Sequence, residues 1–310
     1  MTESNLPDEA AAFLREFIGE DWTVEPLAGD ASVRAYYRIR RSDGSSLILT
    51  HYPAELRQQL GRFLRVHREL APYAPLPEVL HASDTTMLQR DVGNRTLYDV
   101  LHEDREEGVR LYRTAVDVLI GIQHAKPQTE LLAPFTAEFF FSELEMAREF
   151  YVEKLKGIDA APLVPLLEKL SENIASHPYV LCHRDYHGQN IHVVNGQLFI
   201  IDYQDLRMGP DTYDMASLLR DRGVARVLGR DTELELLDYY GTHVGQPLRL
   251  STRYFETLLQ RSVKILGTFA KQVIVRGRRH YLEFIPPALE SIQRCIDELP
   301  EYGKLGDLLQ

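Results

Sequence analysis

Residues 179–221 read YVLCHRDYHGQNIHVVNGQLFIIDYQDLRMGPDTYDMASLLRD. Two β-prone runs, 191–194 and 197–201, flank Asn195-Gly196. Asn-Gly supplies the two positive-φ positions that a two-residue hairpin turn requires. Such a turn pins the register: with Val194 facing Gln197, Asn190 falls opposite Ile201 and beside Asp202. Residues diagonal across an antiparallel pair lie roughly 7–8 Å apart. A side-chain carbonyl and a carboxylate at that separation can share one divalent cation. Upstream, the β-prone run 179–182 leads into His183-Arg184-Asp185, and Asn190 follows Asp185 by five residues.

Aspartate and asparagine are hard oxygen ligands and suit magnesium, which takes few protein ligands and completes its shell with phosphate and water. Phosphoryl transfer needs a nucleotide's phosphates neutralised and held in line. It also needs a separate carboxylate to take or orient the proton of the attacking hydroxyl. Asp185 is the candidate for that base, and Asn190 and Asp202 are the candidate metal ligands. Taken singly, an aspartate in a loop is usually a turn or cap residue, and a histidine is usually packed or solvated. The order of the whole set is what points to chemistry. His187 and Asp205 divide evenly between substrate contact and loop hydrogen bonding. Gly209-Pro210-Asp211 is expected to open a helix, with Asp211 as its cap. Asp214, in the first turn, either favours the helix dipole or reaches back to the backbone of the catalytic loop.

Toward the N-terminus, 10–18 has the spacing of a short helix and 22–27 reads as a strand. Gly29-Asp30-Ala31-Ser32 is a turn. The runs 36–40 and 47–51 read as strands around Ser42-Asp43-Gly44. A helix over 56–70 ends at Pro72, Pro75 and Pro77, and 79–81 and 86–89 are short strands. This half is therefore an antiparallel sheet with one inserted helix. From Thr96 onward helices dominate, over 97–101, 108–125, 139–155 and 163–176, and again from Thr212. The apolar positions Phe255, Leu258, Leu259, Leu266, Phe269 and Val273 lie on one buried helical face, which is core packing. The shift in composition near Asp91-Val92-Gly93 sets the expected lobes at 1–92 and 93–310.

The formal net charge is -11. An acidic chain repels nucleic acid unless it carries a local basic patch. The nearest candidate, Arg276, Arg278 and Arg279, reads as a solvated surface run. No run of eighteen apolar residues is present, so no spanning helix is expected. The N-terminal MTESNLPDEAAAFLREF is acidic and does not read as a signal peptide. Cys182 and Cys295 stand far apart, outside any C-x-x-C pair, which argues against a disulfide framework or a zinc site. These readings favour a cytoplasmic protein with a small-molecule substrate and neither a nucleic-acid nor a membrane partner.

Three segments carry a family resemblance: GDASVRAYYR at 29–38, HRDYHGQN through DYQD and GPDTYDMASLLRD, and QRSVKILGTF at 260–269. Together they resemble the aminoglycoside phosphotransferase and choline kinase superfamily, and within it the bacterial cell-wall amino-sugar kinases. The resemblance implies an α+β, bilobal protein-kinase-like fold, with a small antiparallel-sheet N-lobe and a mostly helical C-lobe. It implies a kinase that uses ATP and Mg2+ to phosphorylate the anomeric hydroxyl of N-acetylglucosamine or N-acetylmuramate, and a monomer is the expected state. By position, Asp185 is similar to the catalytic base, and Asn190 and Asp202 to the magnesium ligands. Gly29, Asp30, Ala31, Ser32 and Arg34 correspond to the nucleotide loop, and Gln89 to Val92, with Gln89 and Asp91 as its binding residues, to the adenine hinge. Glu143 sits where this group places residues near the sugar pocket; His187, Gln204, Asp205, Arg261 and Lys264 are the other candidate substrate contacts, the last two being equally readable as surface cations that snorkel to water.

One departure matters. Kinases of this kind carry a lysine on the third strand to hold the α- and β-phosphates. Here that position is Thr50, and the first lysine of the chain is Lys126. Arg34 or Arg38 is the expected substitute, with backbone amides of residues 29–32 assisting. Two other readings stand beside the sugar kinase. An aminoglycoside kinase needs an acidic pocket, whereas Arg261 and Lys264, at i and i+3 on one helix, suit a neutral or carboxylate-bearing sugar. A nucleotide-binding scaffold is favoured only by the missing lysine and has no use for Asp185.

Overall fold

The computed structural model describes residues 6–27, 34–127, 133–220, 223–245 and 250–310. After α1 (Asp8–Ile18) come strands β1 (Trp22–Leu27), β2 (Ala35–Arg41) and β3 (Ser46–His51), then α2 (Arg57–Leu70), β4 (Val79–Ala82) and β5 (Thr86–Arg90). The five strands form one antiparallel sheet in the order β1-β2-β3-β5-β4. Each lies where the sequence placed it, to within a residue or two. The side chains of Tyr37, Ile39, Leu47, Leu49 and Leu88 meet Ala10, Phe13 and Leu14 of α1 in one apolar core. Burying a leucine or isoleucine there contributes about 1.5–3 kcal/mol, which is what holds α1 against the sheet.

Helices follow: α3 (Leu97–Glu103), α4 (Arg105–His124), α5 (Ala137–Met146) and α6 (Val164–Ala175). Thr96 and Asp99 close a reciprocal capping box at the start of α3, each satisfying a backbone amide that the helix leaves unpaired. The helix expected over 139–155 changes character within its length. It runs as α5 and then winds as a π-helix over Ala147–Lys156. At this junction a Cβ on Gly267 would lie 2.3 Å from the Ala147 nitrogen and 2.5 Å from the Met146 carbonyl carbon. Two helix backbones therefore approach as closely as only glycine permits, at the point where the hydrogen-bond ladder changes pitch.

The remaining elements are β6 (Tyr179–Cys182), β7 (Ile191–Val194), β8 (Gln197–Ile200), β9 (Arg207–Pro210), α7 (Tyr213–Arg220), α8 (Val224–Leu228), α9 (Arg230–Val244), α10 (Leu250–Arg276), α11 (Ile285–Glu298) and α12 (Gly303–Leu309). The chain divides into two compact units. One comprises Met1–Gly121, Ala125–Thr129 and Gly188–Gln204, and the other Ile122–His124, Glu130–His187 and Asp205–Gln310. Within the second unit α10 is buried on every side over Arg253–Val263 rather than along one face; of the apolar positions expected there Phe255, Leu258, Leu259 and Leu266 are buried, whereas Phe269 and Val273 are only partly so.

Strand β9 corrects the expectation that residues 209–211 open a helix. Gly209 and Pro210 pair with Val180 and Tyr179 of β6, and proline is tolerated because it sits at the strand's end. Asp211 is not a helix cap either. Its carboxylate receives Arg253 Nη2 at 2.7 Å and Arg253 Nε at 3.2 Å in a buried ion pair. A buried guanidinium outcompetes backbone amides for that carboxylate because a charge-assisted pair is the stronger bond. No helix among the described residues is long and apolar enough to cross a membrane.

Candidate active site

Asn195 and Gly196 have φ of 50° and 76°, the left-handed pair of a type I′ turn. Val194 faces Gln197 and Ile191 faces Ile200. The Ile201 amide then donates to the Asn190 carbonyl at 3.0 Å, extending the ladder by one rung. The register set by the turn thus brings Asn190 against Ile201, with Asp202 the next residue. Asp202 itself has φ 62°, uncommon for a non-glycine residue, and the strand ends there. Gln204 Nε2 donates to its Oδ1 at 2.7 Å. Tyr203 anchors the bend: its side chain is buried, its hydroxyl meets His67 Nδ1 at 2.8 Å, and it bonds the Gln89 side chain.

The other edge of the hairpin is fixed as firmly. The Val193 amide donates to the Arg95 carbonyl at 2.8 Å, and His192 Nδ1 meets the Gly93 carbonyl at 2.8 Å. A Cβ on Gly188 would lie 2.8 Å from the Tyr112 hydroxyl and 3.0 Å from the Tyr98 amide, so the short turn carrying Asn190 requires glycine there. No cluster of three or more His, Cys, Asp or Glu side chains occurs among the described residues. Two hard oxygens are nevertheless enough for magnesium, which draws its other ligands from phosphate and water, so Asn190 and Asp202 fit that ion.

In the second unit, the loop after β6 is held by one carboxylate. Asp214 accepts the His183 amide at 2.6 Å and the Arg184 amide at 2.9 Å. Arg184 sits at φ 81°, a left-handed conformation that costs roughly 1–2 kcal/mol and is kept by these bonds. Asp185 follows, and its carbonyl accepts the His187 amide at 3.0 Å. Complete burial pushes the Asp214 carboxyl up to about 7. The two amides and Arg261 oppose that rise, and the charge of Asp185 adds to it. Asp214 thus reaches back to the backbone of the loop that carries Asp185 from the first turn of α7.

Asp185 borders a hollow lined by Arg184, Tyr213, Arg261, Lys264 and Ile265. The Arg261 guanidinium lies 4.8 Å from the centre of the Tyr213 ring, and its Nη2 donates to Ser217 Oγ at 3.2 Å. Lys264 Nζ pairs with Glu143 Oε1 at 2.5 Å, and Gln260 Nε2 donates to Glu143 Oε2 at 2.9 Å. Glu143 is thus tied to α10, and neither it nor His187 nor Asp205 borders the hollow. Asp205 is exposed, and its carbonyl accepts Arg184 Nη1 at 3.4 Å.

The two arginines proposed to replace the strand lysine have different surroundings. Thr50 is buried on β3. Arg38 donates to Asp91 at 2.6 Å through Nε and to Asn94 at 2.7 Å through Nη2. Asp91 also accepts Ser46 Oγ at 2.7 Å and the Gly93 amide at 2.8 Å. Burial opposes ionisation of Asp91, but these donors outweigh it and hold the carboxyl below its usual range. Arg38 is thus committed to a buried ion pair. Removing one partner of such a pair costs about 3–5 kcal/mol, so Asp91→Ala is expected to lower the unfolding free energy extrapolated from urea denaturation by about that amount. A loss under about 1 kcal/mol would show the pair to be structurally idle. Arg34 stands between Tyr36 and Tyr52, 5.8 Å from each ring centre, and is drawn electrostatically toward Asp202. Gly29, Asp30, Ala31 and Ser32 lie outside the described residues.

The phosphotransferase enzyme family known as APH matches residues 23–253. The chain belongs to this family. It is 28% identical over 302 residues to an N-acetylmuramate/N-acetylglucosamine kinase of Pseudomonas putida, covering 93% of this chain and 87% of that protein. It is 28% identical over 307 residues to the kinase of the same name from Neisseria meningitidis, covering 93% and 90%. Among solved structures it shares its fold with ADP-bound aminoglycoside phosphotransferase APH(2'')-Ib, at TM-score 0.64 and 15% identity over 94% of this chain and 99% of that one. An ethanolamine kinase of Plasmodium vivax gives TM-score 0.64 at 12% identity, over 90% and 85%. The α+β, protein-kinase-like fold expected from the sequence is the fold observed.

Two residues of this phosphotransferase escaped the sequence reading. Arg184 reads as no more than the middle of H-R-D, although a long cation next to the candidate base Asp185 is a visible cue. Tyr213 was overshadowed by the two aspartates beside it. Its role as the surface on which Arg261 rests depends on α7 meeting α10, and no local pattern reveals that.

Proposed function

We propose that this phosphotransferase is a kinase that moves the terminal phosphoryl group of ATP onto a hydroxyl of an N-acetylhexosamine. The anomeric hydroxyl is the acceptor, and a sugar 1-phosphate and ADP are the products. The observation that carries this reading is the hairpin register, which sets Asn190 against Ile201 and beside Asp202. Asn190 and Asp202 hold magnesium, which supplies positive charge to the phosphate oxygens. Asp185 takes the proton of the sugar hydroxyl as its oxygen bonds to phosphorus and the bond to the β-phosphate oxygen breaks. Arg34 holds the phosphates in place of the absent strand lysine. The backbone at Gln89 to Val92 receives adenine, and the loop Gly29, Asp30, Ala31 and Ser32 covers the nucleotide. The protein acts as a monomer in the cytoplasm.

The relatives named as N-acetylmuramate/N-acetylglucosamine kinases favour a sugar acceptor. So does the hollow, whose three cations beside one carboxylate oppose a polycationic aminoglycoside by like-charge repulsion. An ADP-release assay over N-acetylglucosamine, N-acetylmuramate, aminoglycosides and amino alcohols tests the proposal. Turnover of the two sugars above all others is expected, with phosphorus NMR placing the phosphate on the anomeric oxygen. Preference for an aminoglycoside overturns the sugar assignment. Tight ATP binding without turnover of any acceptor favours a scaffold. Arg34→Ala is expected to raise the Michaelis constant for ATP about tenfold, equivalent to about 1.4 kcal/mol. An unchanged constant and turnover remove Arg34 from this role.

A further inference from the structure

The turn at Asp202 is held by side chains that take no part in the chemistry above. Asp202 is exposed and sits at φ 62°, a strained conformation that persists only where its surroundings hold it. On one side the Ile201 amide is bonded to the Asn190 carbonyl. On the other stands Tyr203, only 1% exposed. Its hydroxyl lies 2.8 Å from His67 Nδ1 and bonds the Gln89 side chain. Leu60, Phe63, Val66 and Leu70 form the buried stripe of α2, and the half-buried His67 borders it one turn beyond Phe63. The rings of Phe63 and His67 are nearly parallel, and lie 5.1 and 5.9 Å from the Tyr203 ring. A polar ring beside an apolar stripe is unfavourable unless it is hydrogen-bonded. Burial holds the His67 imidazole below its usual range, so the neutral Nδ1 accepts the phenol proton while the phenol oxygen accepts from Gln89.

Resting on the kinase reading above, we propose that His67 is a positioning residue for the metal: through Tyr203 it fixes the turn that presents the Asp202 carboxylate to the ion. Gln89 of β5 grips the same hydroxyl, so Tyr203 is fixed from a helix and a strand at once. A carboxylate held in place before the ion arrives loses less freedom on binding than one that swings. Gln204 already donates to Asp202 Oδ1 at 2.7 Å, and a loosened turn would let the carboxylate follow that amide rather than the ion.

Calorimetry of a non-hydrolysable ATP analogue, with Mn2+ and again with EDTA, gives the gain in nucleotide affinity that the metal provides. His67→Phe keeps a ring against Phe63 and loses the acceptor. In this variant the gain is expected to fall about fivefold or more, with the metal-free affinity within about twofold of wild type. An unchanged gain, or an equal loss in both conditions, overturns the proposal, since a residue that merely packs affects both alike. Tyr203→Phe deletes the hydroxyl from the other side and must reproduce the fall, which keeps the test decisive if His67→Phe does not fold. His67→Asn sets an oxygen near the Nδ1 position and is expected to recover about threefold or more of the gain. No recovery by asparagine overturns the role of the hydrogen bond. If Mn2+ adds nothing to nucleotide binding in the wild type, the metal reading of Asn190 and Asp202 fails on its own, whichever way His67 behaves.

Discussion

Asp185→Asn is expected to lower turnover by about a hundredfold to ten-thousandfold, the range that general-base catalysis supplies. ATP affinity should remain near the wild-type value. The amide occupies the same volume and keeps the backbone bond to His187, but it can no longer take a proton. In the proposed mechanism the metal is assigned to Asn190 and Asp202, so the substitution removes none of the groups assigned to the nucleotide. Single-turnover kinetics with calorimetry of ATP binding separates the two effects. Retained turnover rejects Asp185 as the base, and a parallel loss of ATP binding shows that it serves the metal instead.

Asp214→Ala acts on the same loop from behind. It strands the buried amide of His183 and the part-buried amide of Arg184, at about 1–3 kcal/mol each. It also frees Arg184 to leave its left-handed conformation. A loss of about 2–6 kcal/mol of stability and a fall in turnover of about a hundredfold or more are expected together. Full activity in a folded variant would show that the loop needs no such anchor. The wild-type carboxyl adds a pH signature. Its folded value, raised from 3.8 to about 7, lies above the unfolded one, so the folded chain binds more protons between those limits. Its contribution to stability is complete below about pH 4 and is lost as the pH climbs through 7. Urea unfolding should therefore show the advantage of wild type over Asp214→Asn shrinking between pH 5 and pH 8. An advantage that stays constant over that range would mean that Asp214 is ionised throughout.

The sequence carried the hairpin almost completely because its instructions are local. Asn195-Gly196 sets the turn, the turn sets the register, and the register sets Asn190 and Asp202. The N-terminal sheet was equally open to reading, since each strand is a short β-prone run between turn residues. What stayed hidden depends on partners distant in sequence. Residues 207–210 pair with β6 only because the fold returns them there, and Gly209-Pro210 taken alone reads as a helix entry. Asp211 was assigned to a cap by its position, and its partner Arg253 lies on another helix. The commitment of Arg38 to Asp91 and Asn94 likewise required the sheet to be assembled. The π-helical stretch after Met146 answers to the close approach of α10 at Gly267, a constraint absent from its own residues.

The most direct test is a crystal structure with Mn2+ in place of magnesium and a non-hydrolysable ATP analogue. The account predicts an anomalous peak bonded at once to Asn190 Oδ1, the Asp202 carboxylate and phosphate oxygens. A nucleotide-bound metal that touches neither side chain would contradict it.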